Sequence, residues 1–168
     1  MEVKKKSPSP RKLKPKIPPK HAVVPGAHFT VDWHFFVSDE FSHSFLSHAH
    51  SDHMAGISSF RPPRVLHCSE ITGKLVALKY PKVALAIQTH QFSVLFEVEG
   101  FTVVLIPANH TPGSSMFLFM RNGKRILFTG DFRAEPNVIE NVCPYGPIDQ
   151  LFVDSTFLIS GLNIPPRR

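Results

Sequence analysis

The chain has 168 residues, 42% of them hydrophobic, which is enough to bury the core of one domain. It contains no apolar run of about 18 residues or more, and the lysines near its N-terminus have no apolar segment behind them. We therefore expect neither a membrane span nor a secretory signal, but an intracellular protein. Two cysteines are too few for a disulfide scaffold or a cysteine-based zinc finger, whereas ten histidines make imidazole the more plentiful metal ligand.

Positive charge is concentrated at the start of the chain. Residues 1–20 hold eight lysines and arginines against one glutamate, a net charge of +7, while the whole chain has a formal net charge of +6, so the other 148 residues sum to −1. Because this segment also holds five prolines and few apolar residues, we predict a disordered tail over residues 1–22. One domain over residues 23–158 and an irregular end over residues 159–168 follow. The tail composition fits a solvated segment, a nuclear-import signal or a patch that contacts nucleic acid.

The first part of the predicted domain alternates strands with a helix. Residues 29–37 ("FTVDWHFFV") are β-branched and aromatic and predict a strand, and "HSFLS" predicts a second, shorter one. "RVLHC" predicts a third strand, followed by a helix that Ser69 caps and that continues through Tyr80. The apolar residues of that helix fall on one face, at Ile71, Leu75 and Leu78.

The second part is predicted to consist of strands. "SVLFEVEGFTVVLIPA" predicts two strands broken at Gly100. "SSMFLFMRNGKRILFTGD" predicts a hairpin, because Asn122-Gly123 between two apolar runs is a strong signal for a tight turn. "QLFVDST" predicts a last strand.

The densest signal is "FLSHAHSDHMAG", where three histidines and an aspartate fall within six residues. His48 and His50 are two apart, so on an extended backbone their side chains leave the same face and can bind one metal together. Asp52 and His53 fall in the turn that follows and more naturally bind a second metal a few ångströms away. Two imidazoles leave positions of a tetrahedral shell open, which predicts further ligands from other strand ends.

Two candidates for those ligands follow apolar runs. His110 ends such a run in "VLIPANHTPGSS", and Asp131 ends another in "ILFTGDF". A carboxylate has two oxygens, so Asp131 could bridge two metals about 3.5–4 Å apart. A lone histidine after a strand is more often a hydrogen-bonded structural residue, and Gly-Asp is common in turns. The prediction therefore depends on the joint occurrence of both residues with the histidine cluster.

Five segments, in chain order, are similar to the metallo-β-lactamase superfamily, and within it to the β-CASP nucleases of the Apollo/Artemis type: "FLSHAHSDHMAGISS", "RVLHCSEITGKLV", "ANHTPGSSMFLF", "ILFTGDFR" and "LFVDST". The resemblance runs from residue 24 to residue 157. It implies an α/β fold, the N-terminal part of an αββα sandwich. It also implies a zinc-dependent 5′-to-3′ DNA exonuclease in the nucleus that acts on single-stranded DNA or 5′ ends. Such an enzyme would take part in the repair of interstrand crosslinks and double-strand breaks and in the processing of telomere ends. Its partners would be repair or telomere proteins, and it would not associate with a membrane.

The resemblance also implies roles for single residues. His48, His50, His110 and Asp131 would bind a first zinc, while Asp52 and His53 would bind a second that shares Asp131. Asp52, His53 and Asp131 would then carry the catalytic chemistry. Asp32 would be the early aspartate that braces the metal loop, and Asp154 would open the β-CASP motifs. The other histidines match no ligand spacing and are predicted to be structural or exposed: His21, His28, His34, His43, His67 and His90.

Some features depart from the family pattern. Thr111 and Pro107 stand where cysteine and aspartate are common, although neither position is an expected ligand. The C-terminal half of the fold and most of the β-CASP insertion do not follow Asp154, so we expect a truncated form. The alternatives are another metallo-β-lactamase hydrolase, a β-CASP ribonuclease, or a non-catalytic truncated relative that binds metal or a partner. Asp154 argues against the first of these and "ANHTPGSSMFLF" against the second.

Overall fold

The computed structural model describes residues 14–155, which form two β-sheets packed face to face with a helix on the outer side of each. The first sheet contains β1 (Phe29–Val31), β2 (His43–Phe45), β3 (Val65–Ser69) and β4 (Ile87–His90). The second contains β5 (Phe96–Val98), β6 (Phe101–Pro107), β7 (Ser115–Arg121), β8 (Lys124–Phe128) and β9 (Gln150–Phe152). The helices are α1 (Glu70–Lys79) and α2 (Pro136–Val142), with short 3₁₀ segments at Lys20–Ala22, Ile57–Ser59, Pro81–Ala86 and Cys143–Tyr145.

Strand direction decides which residues meet at one end of the sandwich. The first sheet is parallel throughout, in the order β1-β2-β3-β4. In the second sheet β5 to β8 pair antiparallel in sequence order, and β9 joins β8 in parallel. Consequently β6, β8 and β9 run in the same direction, and the residues that follow these three strands lie at a common edge of the second sheet.

The second sheet buries both of its faces, because alternate residues of a strand point to opposite sides. In β7, the rings of Phe117 and Phe119 have their centroids 5.3 and 4.8 Å from that of Phe45 in the first sheet. Leu118, between them, belongs instead to the apolar cluster that contains Val138 of α2. The apolar cluster on the outer side of the first sheet joins Leu66 and Cys68 of β3 with Val76 of α1. The layer order is therefore helix, sheet, sheet, helix, as in an αββα sandwich.

The predicted helix is confirmed, but its buried face differs from the apolar one. The Ser69 hydroxyl caps α1 by accepting the N–H of Thr72. Ile71, Leu75 and Leu78, the residues of the predicted face, are 45%, 44% and 80% exposed, whereas the helix buries Thr72, Gly73 and Val76. Because the side chains on this buried face are small, the helix can lie close to the first sheet. Neither α1 nor any other helix among the described residues is long and apolar enough to span a membrane.

The strand predictions are confirmed with one correction. Glu99 and Gly100 separate β5 from β6, and Asn122-Gly123 forms the hairpin turn with φ of 52° and 75°. The strand predicted over residues 29–37 is wrong beyond Val31, because Asp32 takes a left-handed φ of 51° and turns the chain out of the sheet. β4 and α2 lie in segments for which the sequence predicted no element.

The basic segment is described from residue 14 onward. The Lys16 N–H donates to the Phe36 carbonyl, the Lys16 ammonium lies 3.6 Å from the centre of the Phe35 ring, and Ala22 is buried. Lys16 and Ala22 therefore contact the domain, although they fall within the predicted tail. The domain boundaries stay predictions, and residues 1–13 and 159–168 lie outside the described residues.

Candidate metal centre

Four predicted ligands come together where strands end. His48 and His50 follow β2, His110 follows β6 and Asp131 follows β8. One ligand atom from each of these four residues lies within 4.8 Å of all the others, so the four side chains could hold a metal ion. Separate strand ends therefore supply one cluster, as the sequence pattern predicts, while the role of its members as ligands remains a proposal.

The spacing of the cluster fits a small tetrahedral ion. His50 Nδ1 lies 3.2 Å from His110 Nε2, and His110 Nε2 lies 3.4 Å from Asp131 Oδ2. His48 Nε2 lies 3.8 Å from the same Asp131 oxygen. With zinc–ligand bonds of about 2.0–2.2 Å, tetrahedral ligand atoms lie about 3.3–3.6 Å apart. These three distances are thus within a few tenths of an ångström of the spacing around a zinc ion.

The hydrogen bonds of His48 fix which of its ring nitrogens is free. The Ser47 hydroxyl has one hydrogen and donates it to Asp32 Oδ2 at 2.6 Å, since a carboxylate only accepts. At 2.9 Å from His48 Nδ1, the same hydroxyl oxygen must therefore accept the Nδ1 hydrogen. His48 Nε2 then carries a lone pair, and it is a buried atom with no hydrogen-bond partner. An unpartnered imidazole lone pair that points into a ring of ligand atoms is what a metal site provides.

Asp131 faces two sets of residues with its two oxygens. Its Oδ2 lies near His48 and His110, while its Oδ1 lies 3.1 Å from His53 Nε2. Asp52 Oδ2 approaches the same His53 nitrogen at 3.6 Å. A second set consisting of Asp52, His53 and the shared Asp131 thus lies beside the first, so Asp131 is placed to bridge two cations.

The electrostatics of the two histidines differ. Burial lowers the pKa of His48 to about 4, and neighbouring histidines add to this effect, so the ring stays neutral at neutral pH. Burial also opposes charge on His53. There, however, the hydrogen bond and charge of Asp32, together with the charges of Asp131 and Asp52, raise its pKa to about 9. The carboxylates that favour a proton on His53 equally favour a metal cation in its place.

Asp32 is hydrogen-bonded to Ser47 and His53, while the bracing role that the family resemblance implies for it stays a prediction. Its carboxylate accepts the Ser47 N–H at 2.7 Å, the Ser47 hydroxyl, and the His53 Nδ1–H at 2.8 Å. It thereby sets the tautomers of both His48 and His53. Gly130 lets the next strand end approach, because a Cβ there would lie 2.7 Å from the Ser47 Cβ and its φ is +52°.

The loop that carries His110 is fixed by serines. The Ser114 hydroxyl accepts the N–H groups of His110 and Thr111 at 3.1 and 3.2 Å. The Ser69 hydroxyl, which also caps α1, donates to the Gly113 carbonyl at 2.6 Å. The N-terminus of α1 and the His110 loop are therefore held together.

A cleft of about 730 Å³ opens beside the cluster. Four aspartates line it, together with His53, Trp33 and apolar residues that include Leu151 and Val153. The four are Asp32, Asp52 and Asp131 of the metal region, and Asp154. The Asp154 N–H donates to Thr129 Oγ1. All the predicted site residues therefore lie at or beside one cleft.

Sequence reasoning missed two features of the remaining histidines. His34 is fully buried, burial lowers its pKa to about 4, and it contacts the metal loop. His43, His67 and His90 form a ladder across β2, β3 and β4 in which successive rings are hydrogen-bonded at 2.9 Å. Position 34 is only two residues after Asp32, but nothing in the local pattern indicates a contact with residue 53. The ladder is consistent with the prediction of a structural role.

Comparison with known proteins identifies the family. A model described as the beta-lactamase superfamily domain matches residues 39–162, which include the clustered ligands. The chain belongs to the metallo-β-lactamase superfamily. Among curated proteins, the human DNA cross-link repair 1A protein is 37% identical to this superfamily member over 153 residues, covering 89% of the chain and 14% of the relative. The rat 5′ exonuclease Apollo is 42% identical over 133 residues, covering 74% of the chain and 24% of the relative.

These matches confirm the resemblance to β-CASP nucleases. They cover only part of the relatives, since the chain spans 14% of the human DNA cross-link repair 1A protein and 24% of rat Apollo. The zinc-bound PqqB of Methylobacterium extorquens superposes with a TM-score of 0.54 at 19% identity, covering 65% of this chain and 44% of that one. This structural likeness confirms the α/β metallo-β-lactamase fold.

Proposed function

We propose that the chain carries the metal centre of a zinc-dependent DNA nuclease. In this proposal His48, His50, His110 and Asp131 hold one zinc ion, and Asp52, His53 and Asp131 hold a second cation. The main supporting observation is the buried, unpartnered Nε2 of His48, whose neighbours are a carboxylate oxygen and two imidazole nitrogens, all four atoms lying within 4.8 Å of one another. The similarity of the chain to DNA-repair nucleases supports the reaction class.

The residues of the chain hold and tune the centre. When bound, zinc supplies an acidified water and positive charge for the hydrolysis of a phosphodiester. Ser47 keeps the Nδ1 hydrogen on His48 and so leaves its Nε2 free to ligate. Asp32 orients the His53 ring through its Nδ1, and Asp131 divides its two oxygens between the two sets. This chemistry requires no side-chain nucleophile.

The charge of the cleft indicates that metal favours substrate binding there as well as reaction. Four aspartates line the cleft, and a body with a net charge of −1 offers little else to attract a polyanion. Two divalent cations would offset the charge of the four carboxylates. We therefore expect single-stranded DNA to bind more tightly with zinc present than after chelation.

The decisive activity test is digestion of single-stranded DNA that carries a 5′ phosphate. Substrates labelled at the 5′ or the 3′ end, incubated with zinc-loaded protein, separate the directions: a 5′-to-3′ exonuclease releases the 5′ label first as a mononucleotide. Asp131→Ala should abolish release, and His28→Ala, at an exposed position outside the cluster, should not. Equal activity of Asp131→Ala and wild type would refute the assignment.

A β-CASP ribonuclease is the nearest alternative, and the same assay with RNA of the same sequence distinguishes it. The relatives named for DNA cross-link repair favour DNA and support a role in crosslink repair. Double-strand break repair, the processing of telomere ends and contact with telomere or repair proteins remain predictions from the motif resemblance. A chain that binds zinc tightly and cleaves neither substrate would support the non-catalytic alternative.

We also propose that the basic segment directs the protein to the nucleus, where a DNA nuclease must act. Its lysines are clustered and spaced by prolines, with a net charge of +7 over residues 1–20. Deletion of residues 2–20 from a fluorescent fusion should lower the nuclear-to-cytoplasmic ratio. An unchanged ratio would contradict this role.

A further inference from the structure

His34 is a buried titratable residue to which the proposed chemistry gives no role. It is 0% exposed, and its ring packs edge-on against Phe60 with centroids 6.2 Å apart. Both of its ring nitrogens are hydrogen-bonded, Nδ1 to the Ser44 hydroxyl at 2.8 Å and Nε2 to the His53 carbonyl at 3.1 Å. One of these contacts reaches the main chain of a residue in the second ligand set.

The direction of these bonds follows from the partners. A carbonyl only accepts, so His34 Nε2 carries the hydrogen and donates it to His53. In the neutral ring Nδ1 then accepts from Ser44, whose oxygen lies 2.8 Å from Thr30 Oγ1. The chain Thr30–Ser44–His34 thus anchors the His53 peptide to β1 and β2 of the first sheet.

Further contacts fix the end of the loop that carries His53. The His34 N–H donates to the Ala55 carbonyl at 3.1 Å, and a Cβ at Gly56 would lie 2.5 Å from the Phe35 nitrogen. Gly56 has a φ of +88°, so glycine is needed there for both the backbone and the close approach. Asp32 therefore holds the His53 ring, while His34 and Phe35 hold the main chain that carries it.

We infer that His34 is a positioning residue for the second cation: through the His53 peptide it sets where the His53 ring meets Asp52 and Asp131. The inference rests on the proposed function, which assigns His53 to that cation. Among the described residues, the hydrogen bonds of His34 reach Ser44, His53, Ala55 and Arg64 but neither His48 nor His50. Its loss should therefore weaken the second cation and spare the first.

Two substitutions of His34 by amide side chains test its hydrogen bonds to Ser44 and His53 separately. In His34→Asn the shorter side chain can still accept from Ser44 but cannot reach the His53 carbonyl. In His34→Gln the terminal N–H2 can occupy the place of Nε2 and donate to His53. His34→Asn tests the hydrogen bond to the His53 carbonyl. His34→Gln tests whether restoring that bond alone is sufficient to position His53.

The experiment is a zinc titration of the whole chain against a competing chromophoric chelator, which resolves two binding steps. We expect His34→Asn to weaken the second step by about tenfold to hundredfold, the range for residues that orient a ligand, and the first step by less than threefold. His34→Gln should keep both steps within about threefold of wild type. An unchanged second step in His34→Asn, or an equal loss in both steps for both variants, would overturn the inference.

Amide hydrogen exchange on the zinc-free chain gives a readout that does not depend on metal. In His34→Asn, exchange should rise in the peptide that spans residues 53–57 and stay unchanged in that of residues 65–69; His34→Gln should resemble wild type. If wild type binds no zinc, the proposed function fails, while this exchange pattern still shows whether His34 holds the loop. Unchanged exchange at residues 53–57 would show that His34 does not fix the main chain of this loop.

Discussion

His67→Phe should remove part of the sensitivity of this fold to acid. His67 is 1% exposed in the ladder between His43 and His90, and its ring stacks on Phe45 with centroids 4.7 Å apart. Burial, with the charges of His90 and His43, lowers the pKa of His67 from 6.5 to about 3. A histidine whose folded-state pKa is depressed stabilises the fold above its unfolded pKa, and that contribution is lost as pH falls from about 6.5 towards 3.

The size of the effect follows from the two pKa values. Between pH 7.5 and pH 5.0 the unfolded His67 gains a proton that the folded one refuses, which costs about 2 kcal/mol of unfolding free energy. Phenylalanine fills the same stack and does not titrate in this range. The stability difference between the two pH values should therefore be smaller in His67→Phe by about 2 kcal/mol.

Urea unfolding of the zinc-free chain, followed by the fluorescence of Trp33, the only tryptophan, measures this difference. Chelator in all samples removes the contribution of metal ligation to the pH profile. The buried histidines outside the ladder, His34 among them, contribute equally to both proteins and cancel. An equal change in unfolding free energy for wild type and His67→Phe between the two pH values would refute the reasoning.

Three further predictions follow from single contacts. Ser47→Ala removes the acceptor for His48 Nδ1–H, so affinity for the first zinc should fall by about tenfold or more in the chelator titration. An unchanged first binding step would show that Ser47 does not set the tautomer of His48. Gly130→Ala should cost more stability than Gly100→Ala, since both have positive φ but only the Cβ at position 130 meets a neighbour; equal losses would contradict the close approach. Phe45→Ala should lower the unfolding free energy by about 3–5 kcal/mol, because its ring is fully buried between the sheets; a loss under about 1 kcal/mol would show that the sheets do not pack there.

Local signals predicted the parts of the fold that depend on neighbours in sequence. Asn122-Gly123 fixes a hairpin through the φ angles of two residues, and Ser69 caps a helix whose N–H groups are three residues away. The spacing of His48 and His50 likewise places two imidazoles together before any tertiary contact forms. For the same reason, the strand ends at His110 and Asp131 could be recognised one at a time.

Features that depend on distant contacts were not predicted. β1 ends early because Asp32 turns to accept hydrogen bonds from Ser47 and His53, 15 and 21 residues further along the chain. The buried face of α1 is set by how closely the helix approaches the first sheet, so its apolar residues do not mark it. His34 has no ligand spacing, and its link to the metal loop spans 19 residues.

Zinc content tests the central claim most directly. The purified 168-residue chain, dialysed against zinc-free buffer, should retain at least one zinc per molecule by elemental analysis, because His48, His50, His110 and Asp131 supply a complete tetrahedral set. The double variant His110→Ala, Asp131→Ala should retain far less, and His28→Ala should retain as much as wild type. Wild type without stoichiometric zinc, or a double variant that retains as much as wild type, would contradict the assignment of the metal centre.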